Sequence, residues 1–141
     1  MHLLDVNVLI ALVDQQHAHH VRARTWFLSP ERQAWATCPL TENAVVRILG
    51  NPTYPAYEGD TNDARGSLNV LISNPGHQFW RDDLSLRDEK TFPNLAGLKH
   101  LTDLYLLALT VSHEGRFATL DERIDPGMVT SGAGAYFLLP N

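Results

Sequence analysis

One cysteine, Cys38, stands in 141 residues. No internal disulfide can form, so a disulfide-stapled scaffold is excluded and a reducing compartment suits the chain. No apolar run approaches the ~20 residues of a membrane-spanning helix. The N-terminal stretch has no basic region and no cleavage site, so a signal peptide is not expected and the cytoplasm is the expected location. Lysine is scarce: Lys90 and Lys99 stand against nine arginines. The formal net charge is -5, which by itself does not suggest a nucleic-acid binder, because phosphate contacts come from Lys and Arg. Acids gathered in one site would count toward that charge and still leave a basic rim. Arginine suits bidentate contacts to phosphate or carboxylate, although an ordinary surface role serves most of the nine equally well. Internal repeats and low-complexity segments are also missing.

What is present is an ordinary globular balance, 44% hydrophobic and 19% charged, which argues against disorder. The length predicts a single domain, residues 1–141, with a core of its own. The chain is organised around its opening, Met1-His2-Leu3-Leu4-Asp5-Val6-Asn7-Val8-Leu9-Ile10-Ala11-Leu12. This reads as a buried strand ending near Asp5, then a helix from about Asn7. A carboxylate inside so apolar a run costs several kcal/mol unless it is paired or bound to a metal.

Further along, residues 17–29 predict a helix with Val21, Ala23, Trp26, Phe27 and Leu28 on its apolar side. Residues 33–38 predict a second strand, with Pro39 near a helix start and residues 40–49 as the helix. A Pro- and Tyr-rich loop covers 53–59, and residues 61–73 form the next helix, stopped by Asn74-Pro75-Gly76. Residues 77–80 read as a short strand and 82–99 as irregular. A strong helix over 102–114 ends on Gly115 as its C-cap. Residues 116–120 form a fourth strand and 134–138 a last one. Strands alternating with helices predict an α/β fold of βαβ crossovers, with sites beyond the carboxyl ends of the strands.

Four acids fall at that edge. Asp5 ends the first strand, Glu42 lies in the helical turn after the second, and Asp121 follows the fourth. Asp103 opens the helix before that strand, and joins the others only if 82–99 returns the chain to the same edge. Carboxylates in one pocket repel and take up protons unless a cation intervenes. All-oxygen ligands favour Mg²⁺ or Mn²⁺ over zinc. The matching chemistry is metal-assisted phosphodiester hydrolysis, which needs no nucleophilic side chain.

Those residues carry a resemblance. Leu4-Asp5-Val6-Asn7-Val8-Leu9-Ile10, then Glu42, then His100-Leu101-Thr102-Asp103-Leu104-Tyr105-Leu106-Leu107-Ala108, then Ala118-Thr119-Leu120-Asp121 resemble PIN-domain ribonucleases. Within that group they are similar to VapC-type toxins of toxin–antitoxin pairs. The resemblance implies a three-layer α/β/α domain around a mostly parallel sheet, an Mg²⁺ or Mn²⁺ site and RNA as substrate. It maps Asp5, Glu42, Asp103 and Asp121 onto the metal-binding acids, with Asn7 and Thr119 as supporting polar residues. It also implies homodimerisation and a VapB-type antitoxin that occludes the site.

Blander readings compete with each signal. Asp5 could cap a helix, and Glu42 and Asp103 could simply complement helix dipoles. Asp121 precedes the surface-like Glu122-Arg123. His17, His19 and His20 read as surface, and Asp82 and Asp83 as a solvated loop. Residues 131–135 read as a turn into the last strand. Trp26, Trp35 and Trp80 read as core or dimer contacts, and Cys38 as buried and inert. Two rival functions remain: a haloacid-dehalogenase-type phosphatase with Asp5 as nucleophile, which would want a second Asp at Asn7, and a non-catalytic interaction module.

Overall fold

The computed structural model describes residues 1–32, 34–56 and 59–141. Strand β1 is His2–Leu4, followed at once by helix α1, Val6–Val13. Helix α2 is His20–Phe27, β2 is Trp35–Thr37 and α3 is Pro39–Leu49. Helix α4 is Thr61–Ile72, β3 is His77–Phe79 and α5 is Leu101–Ser112. Strand β4 is Arg116–Thr119, α6 is Gly132–Ala135 and β5 is Tyr136–Leu138. No helix among the described residues is long and apolar enough to cross a membrane.

The five strands lie in the order β3-β2-β1-β4-β5, every pair parallel. The sheet was expected to be mostly parallel and is wholly so. Successive side chains point to opposite faces of a strand. Leu3, Ala36 and Phe117 therefore pack with α5, while Leu4, Trp35 and Ala118 pack with α1, α2, α3 and α4. Both faces are covered, which is why these strands read as continuous apolar runs. The chain leaves β1 toward β2 on one side and returns to β4 on the other. That reversal opens a crevice at the carboxyl ends of β1 and β4.

Several local expectations change. Val21 and Leu28 are 76% and 59% exposed, so the buried face of α2 is Ala23, Trp26 and Phe27 alone. Helix α2 begins at His20, since His17–His19 form a turn in which the His19 N–H donates to His17 Nδ1. The left-handed residue after α5 is Glu114 (φ 53°), not Gly115. Gly115 serves close approach instead: a Cβ there would meet the Met1 carbonyl at 3.1 Å and the Trp80 ring at 3.2 Å. Residues 132–135, read as turn and strand, form α6. Asp82 is not simply solvated, because its Oδ2 accepts from the Leu40 N–H and caps α3. Gln33, in the expected second strand, and Tyr57 and Glu58, in the 53–59 loop, lie outside the described residues.

The three tryptophans are buried. Trp80 stacks on His113 with ring centroids 3.9 Å apart. Cys38 is fully buried, and burial pushes its thiol up to about 11. A thiolate, the reactive form, is thereby disfavoured.

Candidate metal centre

Asp5 holds the N-cap position of α1 in extended backbone, makes no capping hydrogen bond with its side chain, and is only 3% exposed. By strand parity it faces the α5 side, with Leu3, and so does Thr119 with Phe117. The Thr119 hydroxyl donates to Asp5 Oδ2 at 2.6 Å. That hydroxyl in turn accepts from Asn7 Nδ2 at 3.1 Å and from the Asp121 N–H at 3.0 Å. Asn7 Oδ1 accepts from the Leu120 N–H. One polar network thus ties the start of α1 to the end of β4.

Asp103 lies in the first turn of α5. The 82–99 segment does carry the chain back to the carboxyl edge, ending in a 3₁₀ turn, Leu98–His100, that feeds α5. His100 Nδ1 lies 3.1 Å from Asp103 Oδ2. Ligand atoms of His100, Asp103 and Asp121 all fall within 4.8 Å of one another. Asp121 is also gripped by Arg123, whose Nε and Nη2 donate to its two carboxylate oxygens at 3.0 Å each.

The electrostatics follow from this crowding. Burial, against the hydrogen bond from Thr119, pushes the Asp5 carboxyl up to about 7, and the charges of Asp103 and Asp121 add to the rise. Burial also raises Asp103, against the nearby His100 and Arg123. Arg123 holds Asp121 below the usual carboxylate range. A buried acid whose charged neighbours are two more acids is a set that a divalent cation resolves. Oxygen and imidazole donors within this span fit one ion.

Glu42 is placed differently. It enters α3 at the same edge, one strand along, where its Oε1 accepts from the Thr37 hydroxyl at 2.6 Å. Thr37 shares the Trp35 face of the sheet, opposite the face of Asp5, and its oxygen lies 2.8 Å from His77 Nε2. The structure thus groups Asp103 and Asp121 beside Asp5 and leaves Glu42 on a separate hydrogen bond. His100 was missed as a donor, although it stands in the quoted motif three residues before Asp103. The i,i+3 spacing across a helix start was the signal.

Beside Asp121 an open cleft of ≈ 520 Å³ is lined by residues that include Asn7, His17, His19, Arg22 and Arg123. Arg22 is partly committed, donating to the carbonyls of Leu139 and Pro140.

No family model matches the chain. Curated relatives do. Ribonuclease VapC44 of Mycobacterium tuberculosis is 41% identical over 124 residues, covering 86% of this chain and 87% of that protein. Ribonuclease VapC38 of the same organism is 42% identical over 121 residues, covering 86% and 85%. The chain belongs to the VapC ribonuclease family. That membership displaces the phosphatase reading of Asp5. Two solved VapC-related structures share the fold. VapC20 of M. tuberculosis, a sarcin–ricin-loop cleaving toxin, matches with a TM-score of 0.62 at 14% identity, over 96% of each chain. VapBC2 of Rickettsia felis, bound to a DNA fragment from its promoter, matches with a TM-score of 0.53 at 8% identity, over 85% and 87%.

Proposed function

We propose that this VapC-family chain is a metal-dependent endoribonuclease that hydrolyses RNA phosphodiester bonds as the toxin of a toxin–antitoxin pair. The convergence of Asp103, Asp121 and His100 beside the buried Asp5 carries the reading. The ribonuclease names of relatives near 41% identity support the reaction class. Asp5, Asp103 and Asp121 would hold Mg²⁺ or Mn²⁺, while Glu42, held by Thr37 at the start of α3, would serve the same edge only after leaving that bond. When bound, such an ion stabilises charge on phosphoryl oxygens and makes water a better nucleophile.

The chain's own residues do the positioning. Thr119 and Asn7 fix the Asp5 carboxylate and join it to Asp121. Arg123 brings a largely exposed guanidinium to the rim, with its Nε and Nη2 on the Asp121 carboxylate. His17, His19 and Arg22 line the adjoining cleft together with Asp121, Glu122 and Arg123, and an RNA strand would lie there. A VapB-type antitoxin covers this site, the chain pairs with a second copy as a homodimer, and both proteins work in the cytoplasm. Residues 1–141 serve this role as one domain.

The test is cleavage of total RNA by the purified chain and by Asp5→Asn and Asp103→Asn. Each substitution keeps side-chain size, so the circular dichroism spectrum should stay near wild type. Cleavage should fall about 100-fold or more in each. Full activity in both variants would overturn the reading.

A further inference from the structure

His100 stands in the same group as Asp103 and Asp121 and is its one nitrogen donor. It ends the 3₁₀ turn Leu98–His100, so its ring folds back onto the first turn of α5. Its side chain is 23% exposed, open to solvent on one side and against Asp103 on the other. Nδ1 lies 3.1 Å from Asp103 Oδ2, and a ring nitrogen shares the 4.8 Å group with oxygens of Asp103 and Asp121. We propose that His100 is a nitrogen ligand of the divalent cation, and that the centre therefore favours Mn²⁺, or a related first-row transition ion, over Mg²⁺. The inference rests on the metal-dependent reading above.

Two arguments support it. The first is distance. An octahedral ion with bonds of about 2.1 Å places adjacent ligands about 3.0 Å apart and opposite ligands about 4.2 Å apart. The His100–Asp103 separation of 3.1 Å is that of an adjacent pair, and the 4.8 Å limit on the group leaves room for Asp121 as a third ligand with little movement. The second is donor chemistry. Mg²⁺ holds to oxygen ligands and water, whereas imidazole gains strength along the transition series. Replacing one oxygen by a ring nitrogen shifts preference away from Mg²⁺.

A competing role is positional. His100 could orient the Asp103 carboxylate without touching the ion. The two roles differ in one observable, whether a histidine nitrogen couples to the electron spin of the bound metal. His17 and His19 line the cleft beside Asp121 and are the other imidazoles that could supply such a nitrogen.

The experiment loads the full chain with Mn²⁺ and records electron spin-echo envelope modulation. It compares natural-abundance protein, protein labelled with ¹⁵N-histidine, and the variant His100→Gln. The expected result is a ¹⁴N modulation that changes to a ¹⁵N pattern on labelling and disappears in His100→Gln. The variant should bind Mn²⁺ about tenfold more weakly or worse, with Mg²⁺ affinity within about threefold of wild type. The labelling comparison uses wild-type protein, so it stands even where the variant folds poorly. Bound Mn²⁺ with no nitrogen modulation overturns the role of His100 and leaves an all-oxygen centre intact. A modulation that survives in His100→Gln assigns the nitrogen to another histidine and overturns it as well. Failure of wild type to bind Mn²⁺ overturns this inference, and failure to bind Mg²⁺ as well overturns the metal-dependent reading.

Discussion

Thr119 Oγ1 uses its full hydrogen-bonding capacity, donating to Asp5 and accepting from Asn7 Nδ2 and the Asp121 N–H. Thr119→Val keeps the shape and removes all three bonds. It should cost about 3 kcal/mol in urea denaturation, since buried polar groups lose their partner, while Thr119→Ser should retain most of the stability. Arg123 presents a different balance. Its guanidinium is well exposed and occupies both oxygens of Asp121, so a cation has to compete with it. Arg123→Ala should tighten Mn²⁺ binding by roughly twofold to fivefold in a calorimetric titration, the scale of an exposed ion pair. Weaker binding would mean that Arg123 supports the acids rather than competing for them. At this scale an acid in an apolar run showed that Asp5 needs partners, and the family resemblance, not the residues alone, pointed to Asn7 and Thr119, which the hydrogen bonds now join to it. His100 was illegible as a member of the group because its contact with Asp103 depends on the 3₁₀ turn that leads into α5. The Thr37–Glu42 bond was illegible because it depends on which sheet face each residue takes.

Among the elements, α5 decides the geometry. Its first turn brings Asp103 to the edge where β1 and β4 end, and the irregular 82–99 segment is what delivers it there. The sequence left that return open, because a stretch without periodicity carries no direction. Long, strongly apolar elements such as α1 and α5 were read nearly to their ends. The short α6 was not, because Gly132-Ala133-Gly134-Ala135 has neither apolar period nor cap, and tertiary packing alone shapes it. Its two glycines separate cleanly. A Cβ at Gly132 would sit 2.4 Å from the Pro126 carbonyl oxygen and 3.0 Å from Leu107, so Gly132→Ala should destabilise by about 2–3 kcal/mol. Nothing lies within 4 Å of a Cβ at Gly134. Gly134→Ala should be neutral, or stabilise by up to about 1 kcal/mol, in the same thermal or urea melts.

For the whole molecule, the crowded acids make stability depend on pH and on metal. In the metal-free chain the Asp5 carboxyl sits near 7, against about 3.9 in an unfolded chain. Between those values the folded form holds a proton that the unfolded form has released. The contribution of Asp5 is therefore fully present below about 4 and is lost as pH rises through about 7. Buried His2 acts in the opposite sense. Its pKa is lowered by burial, so its contribution is present above about 6.5 and is lost as pH falls. The difference in unfolding free energy between wild type and Asp5→Asn isolates the first effect. Without metal it should shift against wild type between pH 5 and about 7.5, by a few kcal/mol, and Mn²⁺ should reduce that shift. The most direct measurement is cleavage of RNA by chain stripped of metal with a chelator, then resupplied with Mg²⁺ or Mn²⁺, beside Asp103→Asn treated identically. The account expects no cleavage in the stripped chain, recovery with the ion, and none in Asp103→Asn under either condition. Undiminished cleavage by the stripped chain, or by Asp103→Asn, would contradict it.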